Sequence, residues 1–263
     1  MKKLFSFFLI LSTYTIFAQA KFVATTQLNQ TGILADTILG YDTFNSLYYI
    51  RENTLYKARN SAQVEYNNFS LGKISKVDFQ NPLKILVFYE RFNTAILLDK
   101  QLSEIVKFDF SQTETPIICS AIGMSTKNNL WIFNNLTQKI SLFDTSRNTL
   151  KELSTTLESP IKLYKTDQNQ FSWIDENKDW LSCDIYGKIK KIANVEQSEF
   201  VQFADSRSIV FKKDNQLYFR STEMKEALLL KNVDKSASSF QLQGDILSIF
   251  TNLEIINYKI VLP

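Results

Sequence analysis

A repeat is the feature that most constrains what this chain can fold into. A polar turn, an apolar-x-apolar strand, a second polar turn and another strand recur along it. The instances are Ser46-Leu47-Tyr48-Tyr49, Lys84-Ile85-Leu86-Val87, Asn129-Leu130-Trp131-Ile132, Gln170-Phe171-Ser172-Trp173, Ser208-Ile209-Val210-Phe211 and Ile246-Leu247-Ser248-Ile249. Their first apolar positions, 47, 85, 130, 171, 209 and 247, are separated by 38, 45, 41, 38 and 38 residues. Residues i and i+2 share one face of a strand, so each apolar pair is expected to pack against a neighbouring repeat.

Nearly every segment reads as a short strand, four to eight residues of alternating apolar character ended by Asn, Asp, Lys or Ser. The segment most like a helix, 223–230, is short and falls where the repeat calls for a strand. Four strands are legible in the second repeat (73–79, 83–89, 94–99, 104–110) and in the third (116–122, 129–133, 139–144, 150–153). A period near forty with four strands matches one blade of a β-propeller. One blade cannot bury both of its faces, whereas a ring of blades buries them all.

The final repeat shows three strands (239–242, 246–250, 254–262), and the N-terminal stretch 21–28 is the natural fourth. Pairing it with the last blade would close the ring and remove an open edge. The expectation is an all-β propeller of about six four-stranded blades, or seven if 31–42 conceals a strand pair. A two-sheet β-sandwich is the alternative.

Residues 1–20 have the three parts of a secretory signal. Lys2 and Lys3 are followed by an apolar run, 4–17, and then by Ala18-Gln19-Ala20, the small-x-small pattern of a cleavage site. Cleavage after Ala20 leaves residues 21–263 as a single propeller domain in the periplasm or outside the cell. The run is short for a membrane span, and no later segment reaches the ~18 apolar residues such a helix needs.

Composition then narrows the chemistry. The formal charge of +3 falls once Lys2 and Lys3 leave with the leader, and no block of basic residues remains. Nothing in that balance invites nucleic acid or an anionic membrane. Histidine is absent, which removes Ser-His-Asp and Cys-His catalysis and histidine-based metal sites. The six glycines form no phosphate-cradling motif. No cofactor, no metal and no catalytic residue is expected. Cys119 and Cys183 fall at different strand positions of neighbouring repeats, which favours two buried thiols over a disulfide, although export would permit one.

The most unusual local stretch is Trp173-Ile174-Asp175-Glu176-Asn177-Lys178-Asp179-Trp180. Three carboxylates and two indoles around one turn could form a sugar platform or a carboxylate pair for glycoside chemistry. The plainer reading is a polar hairpin turn between two aromatic strands. Asp175, Glu176, Asp179 and Trp180 are the surface-binding candidates. Arg51-Glu52-Asn53, Glu90-Arg91-Phe92-Asn93 and Lys212-Lys213-Asp214-Asn215 occupy the equivalent turn in other repeats and differ in sign and size. Variable loops on a constant scaffold suit a recognition surface or a simple lack of constraint.

The leader ending Phe17-Ala18-Gln19-Ala20, ahead of a chain rich in Lys, Asn, Ile and Phe, resembles exported proteins of Bacteroidota. That resemblance implies an envelope role, such as an accessory part of the type IX secretion and gliding apparatus. The expected function is a non-enzymatic periplasmic scaffold that binds envelope proteins. The alternative is a carbohydrate-binding or glycoside-acting propeller that uses the 173–180 turn.

Overall fold

The computed structural model describes residues 22–114, 116–195, 198–233, 236, 239–251 and 253–261. The expected leader lies outside them. Twenty-four strands and four short 3-10 turns make up the regular structure, with no α-helix among the described residues.

The N-terminal strand β1 (Phe22–Gly32) is followed by four separate antiparallel sheets of four strands. These are β2 (Thr37–Tyr41), β3 (Leu47–Arg51), β4 (Thr54–Arg59) and β5 (Ala62–Tyr66); then β6 (Lys76–Asp78), β7 (Ile85–Tyr89), β8 (Thr94–Leu98) and β9 (Glu104–Asp109). The third holds β10 (Cys119–Met124), β11 (Asn129–Asn134), β12 (Lys139–Asp144) and β13 (Thr149–Glu152). The fourth holds β14 (Ile161–Thr166), β15 (Gln170–Asp175), β16 (Asp179–Asp184) and β17 (Ile189–Asn194). The rest of the chain supplies β18 (Phe200–Asp205), β19 (Ser208–Lys213), β20 (Gln216–Ser221), β21 (Leu228–Leu230), β22 (Ser239–Gln243), β23 (Ile246–Phe250) and β24 (Glu254–Val261). With β1 they form one eight-stranded sheet of order β18-β19-β20-β21-β1-β24-β23-β22.

The fold is a propeller, and the expected count of about six separate blades, or seven, is corrected. Four blades stand alone as four-stranded sheets, and the other eight strands are continuous. The cause is β1. It pairs antiparallel with β24, from Ala24↔Val261 to Gly32↔Glu254, as the closing strand was expected to do. Its first two residues also pair parallel with β21, at Phe22↔Leu229 and Val23↔Leu230. That two-residue ladder merges what sequence period alone would separate. The strand also runs further than 21–28, reaching Gly32 past an irregularity between Gln27 and Asn29. The segment 31–42 holds the end of β1 and the single strand β2, not a strand pair. The helix-like segment 223–230 ends in strand β21.

The apolar columns of the repeat are what join the sheets. Ile85, Leu130, Phe171, Ile209 and Leu247 are all fully buried. Each packs on residues of the preceding sheet or, for Leu247, of the preceding half of the long sheet. Ile85 and Val87 meet Tyr48 and Leu55; Leu130 and Ile132 meet Leu86 and Phe88; Phe171 and Trp173 meet Trp131 and Phe133. Ile209 meets Ile174 and Trp180, and Leu247 and Ile249 meet Val210 and Phe219. Each such side chain contributes about 1.5–3 kcal/mol by leaving water. The thiols are divided between two of these clusters. Cys119 lies between the second and third sheets and Cys183 between the third and fourth, both buried and free.

Ring closure needs the first sheet to meet β22, and a side chain does this by imitating a strand. Gln241 Oε1 accepts from Tyr41 N and its Nε2 donates to Tyr41 O, both at 2.7 Å. Ile38 packs with Phe250 and Ile255 beside it. Gly40, at φ 127°, leaves room for this approach, because a Cβ there would strike the Gln241 amide.

Turn chemistry separates the two faces of the ring. On one face, Asp42, Asp78, Asp99, Asp144, Asp167, Asp184 and Asp205 each accept the amide two residues on, so every one stabilises its own turn. On the other face lie the two-residue hairpins Glu52-Asn53 and Asp214-Asn215, all four residues at positive φ between 50° and 58°. That is the backbone the twist of paired strands prefers, and Asn and Asp adopt it readily.

Gly123 gives a direct test of sheet-to-sheet fit. A Cβ there would collide with Thr166 Oγ1 and lie 2.9 Å from Thr166 Cβ. Gly123→Ala is expected to cost about 1–3 kcal/mol by overpacking. Thr166→Ala in the same chain should restore most of that loss. Urea melts of both single variants and the double variant measure the coupling.

Candidate functional site at the channel mouth

The 173–180 turn forms as a hairpin between β15 and β16, on the face opposite the aspartate turns. It does not present its indoles. Trp180, a surface candidate from the sequence, is fully buried against Phe203, and Trp173 is buried at 2% exposure between the third and fourth sheets. The apolar columns claim both rings, so neither offers an open face for a sugar.

The carboxylates of the turn take separate partners. Asp175 is buried and accepts from Asp179 N at 2.9 Å, which closes the turn. Glu176 is exposed and pairs with Lys162 at 3.1 Å. Asp179 takes Lys191 Nζ at 2.5 Å and Asn194 Nδ2 at 2.6 Å. Those two hydrogen bonds, Lys191 first, hold its carboxyl below the usual carboxylate range. Glu176 alone of the four candidates reaches freely into solvent.

A different set of residues gathers at the axis. The strands that open each unit, β2, β6, β14, β18 and β22, converge there and line a cavity of ≈ 290 Å³ at the aspartate-turn end of the channel. Its charged lining is Lys76 and Lys165, with Asp42, Asp78 and Asp205. Asp42 accepts from Phe44 N, Ser46 N and the Tyr48 hydroxyl. Asp78 accepts from Gln80 N, from Gln80 Nε2 and from Met124 N of the next sheet. These two carboxylates are therefore held by turns and by the sheet-to-sheet seam.

The lysines are held differently. Lys76 Nζ sits 4.7 Å from the centre of the Tyr164 ring, a cation–π contact. Burial pushes its pKa down to about 8; the neighbouring charge of Lys165 adds to this and Asp78 opposes it. Burial lowers Lys165 as well, against Asp78 and Asp205. Both side chains are only partly hidden from solvent, yet protein atoms crowd them on most sides. Sequence reasoning passed over both. The available signal was a lysine within the first strand of a repeat, the strand a propeller turns toward its axis.

No protein-family model matches the sequence, and no curated protein does. Solved structures do resemble it. The virginiamycin B lyase of Staphylococcus aureus is 10% identical, with 91% of this chain and 100% of that one covered at TM-score 0.56. The β-propeller domain of Cps50 (Swd1) from Myceliophteria thermophila is 8% identical, with 90% and 100% covered at TM-score 0.57. PorZ, a surface component of the type IX secretion system of Porphyromonas gingivalis, is 10% identical over 84% of this chain and 33% of that one, at TM-score 0.49. The first two likenesses show the propeller fold and nothing about chemistry; the third carries no argument.

The position of Lys76 has a consequence for stability. With a folded pKa of about 8 against an ordinary 10.5, the unfolded chain binds more protons between those values. Stability should therefore rise with pH through that window, and the cost of the buried charge is fully present below pH 8. Lys76→Met removes it. The variant is expected to exceed the parent in stability at pH 7 by on the order of 1 kcal/mol, with the gap closing toward pH 10.5. Chemical denaturation of both proteins across that range checks the sign.

Proposed function

We propose that this chain is an exported, non-enzymatic propeller that serves as a protein-interaction platform in the cell envelope. One observation carries the reading. Leu34, Phe69, Phe92, Ile118, Leu136 and Leu253 are exposed large apolar side chains, and all lie on the face that bears the β3–β4, β7–β8 and β11–β12 turns. Leu34 and Phe69 are 77% and 72% exposed, on segments that join one strand set to the next. Phe44, Leu83 and Tyr186 are exposed on the opposite face, but the six named here occupy both the hairpin turns and the connecting segments of one face, which suits a partner surface. Glu176, exposed on the same face, belongs to the charged rim of that surface.

Two further facts support the reading. A histidine-to-alanine variant of the virginiamycin B lyase is described as catalytically inactive, and this chain has no histidine to supply such a group. The expected leader over residues 1–20 supports export of the chain, and on this reading the mature protein works in the periplasm. No helix among the described residues is long and apolar enough to cross a membrane. Among envelope assemblies, the type IX secretion and gliding apparatus is the one to which the Bacteroidota-like leader points.

The test is in-cell crosslinking followed by purification of the tagged full chain from its native envelope. A single dominant protein partner is expected. Replacing Phe69, Leu136 and Leu253 together with serine should reduce its recovery at least about tenfold, since a few central residues carry most interface energy. Leu83→Ser on the opposite face should leave recovery unchanged, and the melting temperatures should agree. Equal recovery with the triple variant would refute the assignment of the face. N-terminal sequencing of the purified protein should begin at Lys21.

A further inference from the structure

We propose that the channel mouth is a binding site for a free α-amino acid, its carboxylate held by Lys76 and Lys165 and its ammonium by Asp205. The first support is the state of the two cations. Among the described residues, neither Lys76 nor Lys165 has a carboxylate oxygen within 4.0 Å, although five other lysines and one arginine do. Two ammonium groups facing one small cavity repel each other, and an anion placed between them relieves that repulsion. Burial lowers the proton affinity of both amines, and for Lys76 the neighbouring charge of Lys165 adds to it.

The second support is the state of the carboxylates. Asp42 and Asp78 spend their oxygens on backbone amides and on the Tyr48 and Gln80 side chains. Asp205 spends one oxygen, on Arg207 N at 2.7 Å, and its other oxygen accepts no hydrogen bond among the described residues. The cavity thus offers two cations without a carboxylate within 4.0 Å and one half-used anion. A simple multiply charged anion would meet three carboxylates at the rim, and a simple amine would meet two lysines. A ligand with both charges matches both halves of the lining.

Size agrees with that chemistry. A space of ≈ 290 Å³ accepts a molecule of amino-acid dimensions and is small for an oligosaccharide or a nucleotide. Gln80, Thr43 and Leu242 are among the other lining residues, so the cavity offers polar and apolar contacts for a side chain. The mouth opens on the face opposite the exposed apolar set. Binding here would not compete with a protein docked there, and failure of this proposal leaves the reading of the other face intact.

Calorimetry of the full chain at pH 7 with each of the twenty free amino acids tests the idea, with acetate and ethylamine as half-ligands. At least one amino acid is expected to bind with Kd below about 1 mM, and both half-ligands above about 10 mM. Lys76→Met, Lys165→Met and Asp205→Asn should each weaken binding at least tenfold. Affinity should also fall as the pH rises from about 7 through about 8, where Lys76 loses its proton while the ligand keeps its ammonium, with Lys165, Asp42, Asp78, Asp205 and Tyr164 the other titratable groups around it. The absence of any amino acid binding below about 10 mM, or equal binding by all three variants, overturns the proposal. Should the variants fail to fold, backbone amide hydrogen exchange of the parent chain decides. The amides around Lys76 and Lys165 must exchange more slowly with the saturating amino acid present, and unchanged exchange there overturns the site.

Discussion

Every sheet of this protein is apolar on both sides, and that constraint governs the rest of the structure. A sheet with Val87 toward one neighbour and Leu86 toward the other cannot stand at an edge without exposing a core face. Each must therefore be flanked on both sides, and a ring is the arrangement in which no sheet is last. The closing contacts follow from that demand. Gln241 reaches across to the Tyr41 backbone, and β1 is drawn in to cover β24. Because β1 also catches β21, closure welds eight strands into one sheet.

The same architecture explains what became of the acidic residues. Aspartates recur where strands end, and seven of them on one face accept the amide two residues along. A carboxylate in that position replaces a backbone acceptor and sets the turn. Asp175 and Asp179 do comparable local work at the 173–180 hairpin. An acid-rich turn in a protein of this kind is thus weak evidence for catalysis. The groups that lack such employment are amines at the axis, where the geometry of the ring and not any local pattern brings them together.

The two faces divide the chemistry. One carries aspartate-stabilised turns around a small charged cavity, with Phe44, Leu83 and Tyr186 exposed among them; the other carries Leu34, Phe69, Phe92, Ile118, Leu136 and Leu253 on its turns and connecting segments. A rigid ring can hold such different surfaces about one propeller thickness apart, because the sheets between them are fully packed. That separation makes it possible to test the two surfaces independently.

Much of the fold was legible in the sequence. The spacing of Leu47, Ile85, Leu130, Phe171, Ile209 and Leu247 marks one repeated unit, and apolar alternation makes that unit a set of strands. Both signals are local, so residue order alone carries them. The N-terminal strand was legible as a partner for β24 because the last repeat lacked a fourth strand. Its ladder to β21 was not, since two residue pairs leave no periodic trace. Nor could the sequence tell a buried Trp180 from an exposed one, because both readings place an aromatic residue on a strand beside a turn. Local pattern determined that this chain is a ring of β-sheets. Tertiary structure alone decided which charges would meet at its axis, since Lys76 and Lys165 lie far apart in sequence and only closure of the ring makes them neighbours.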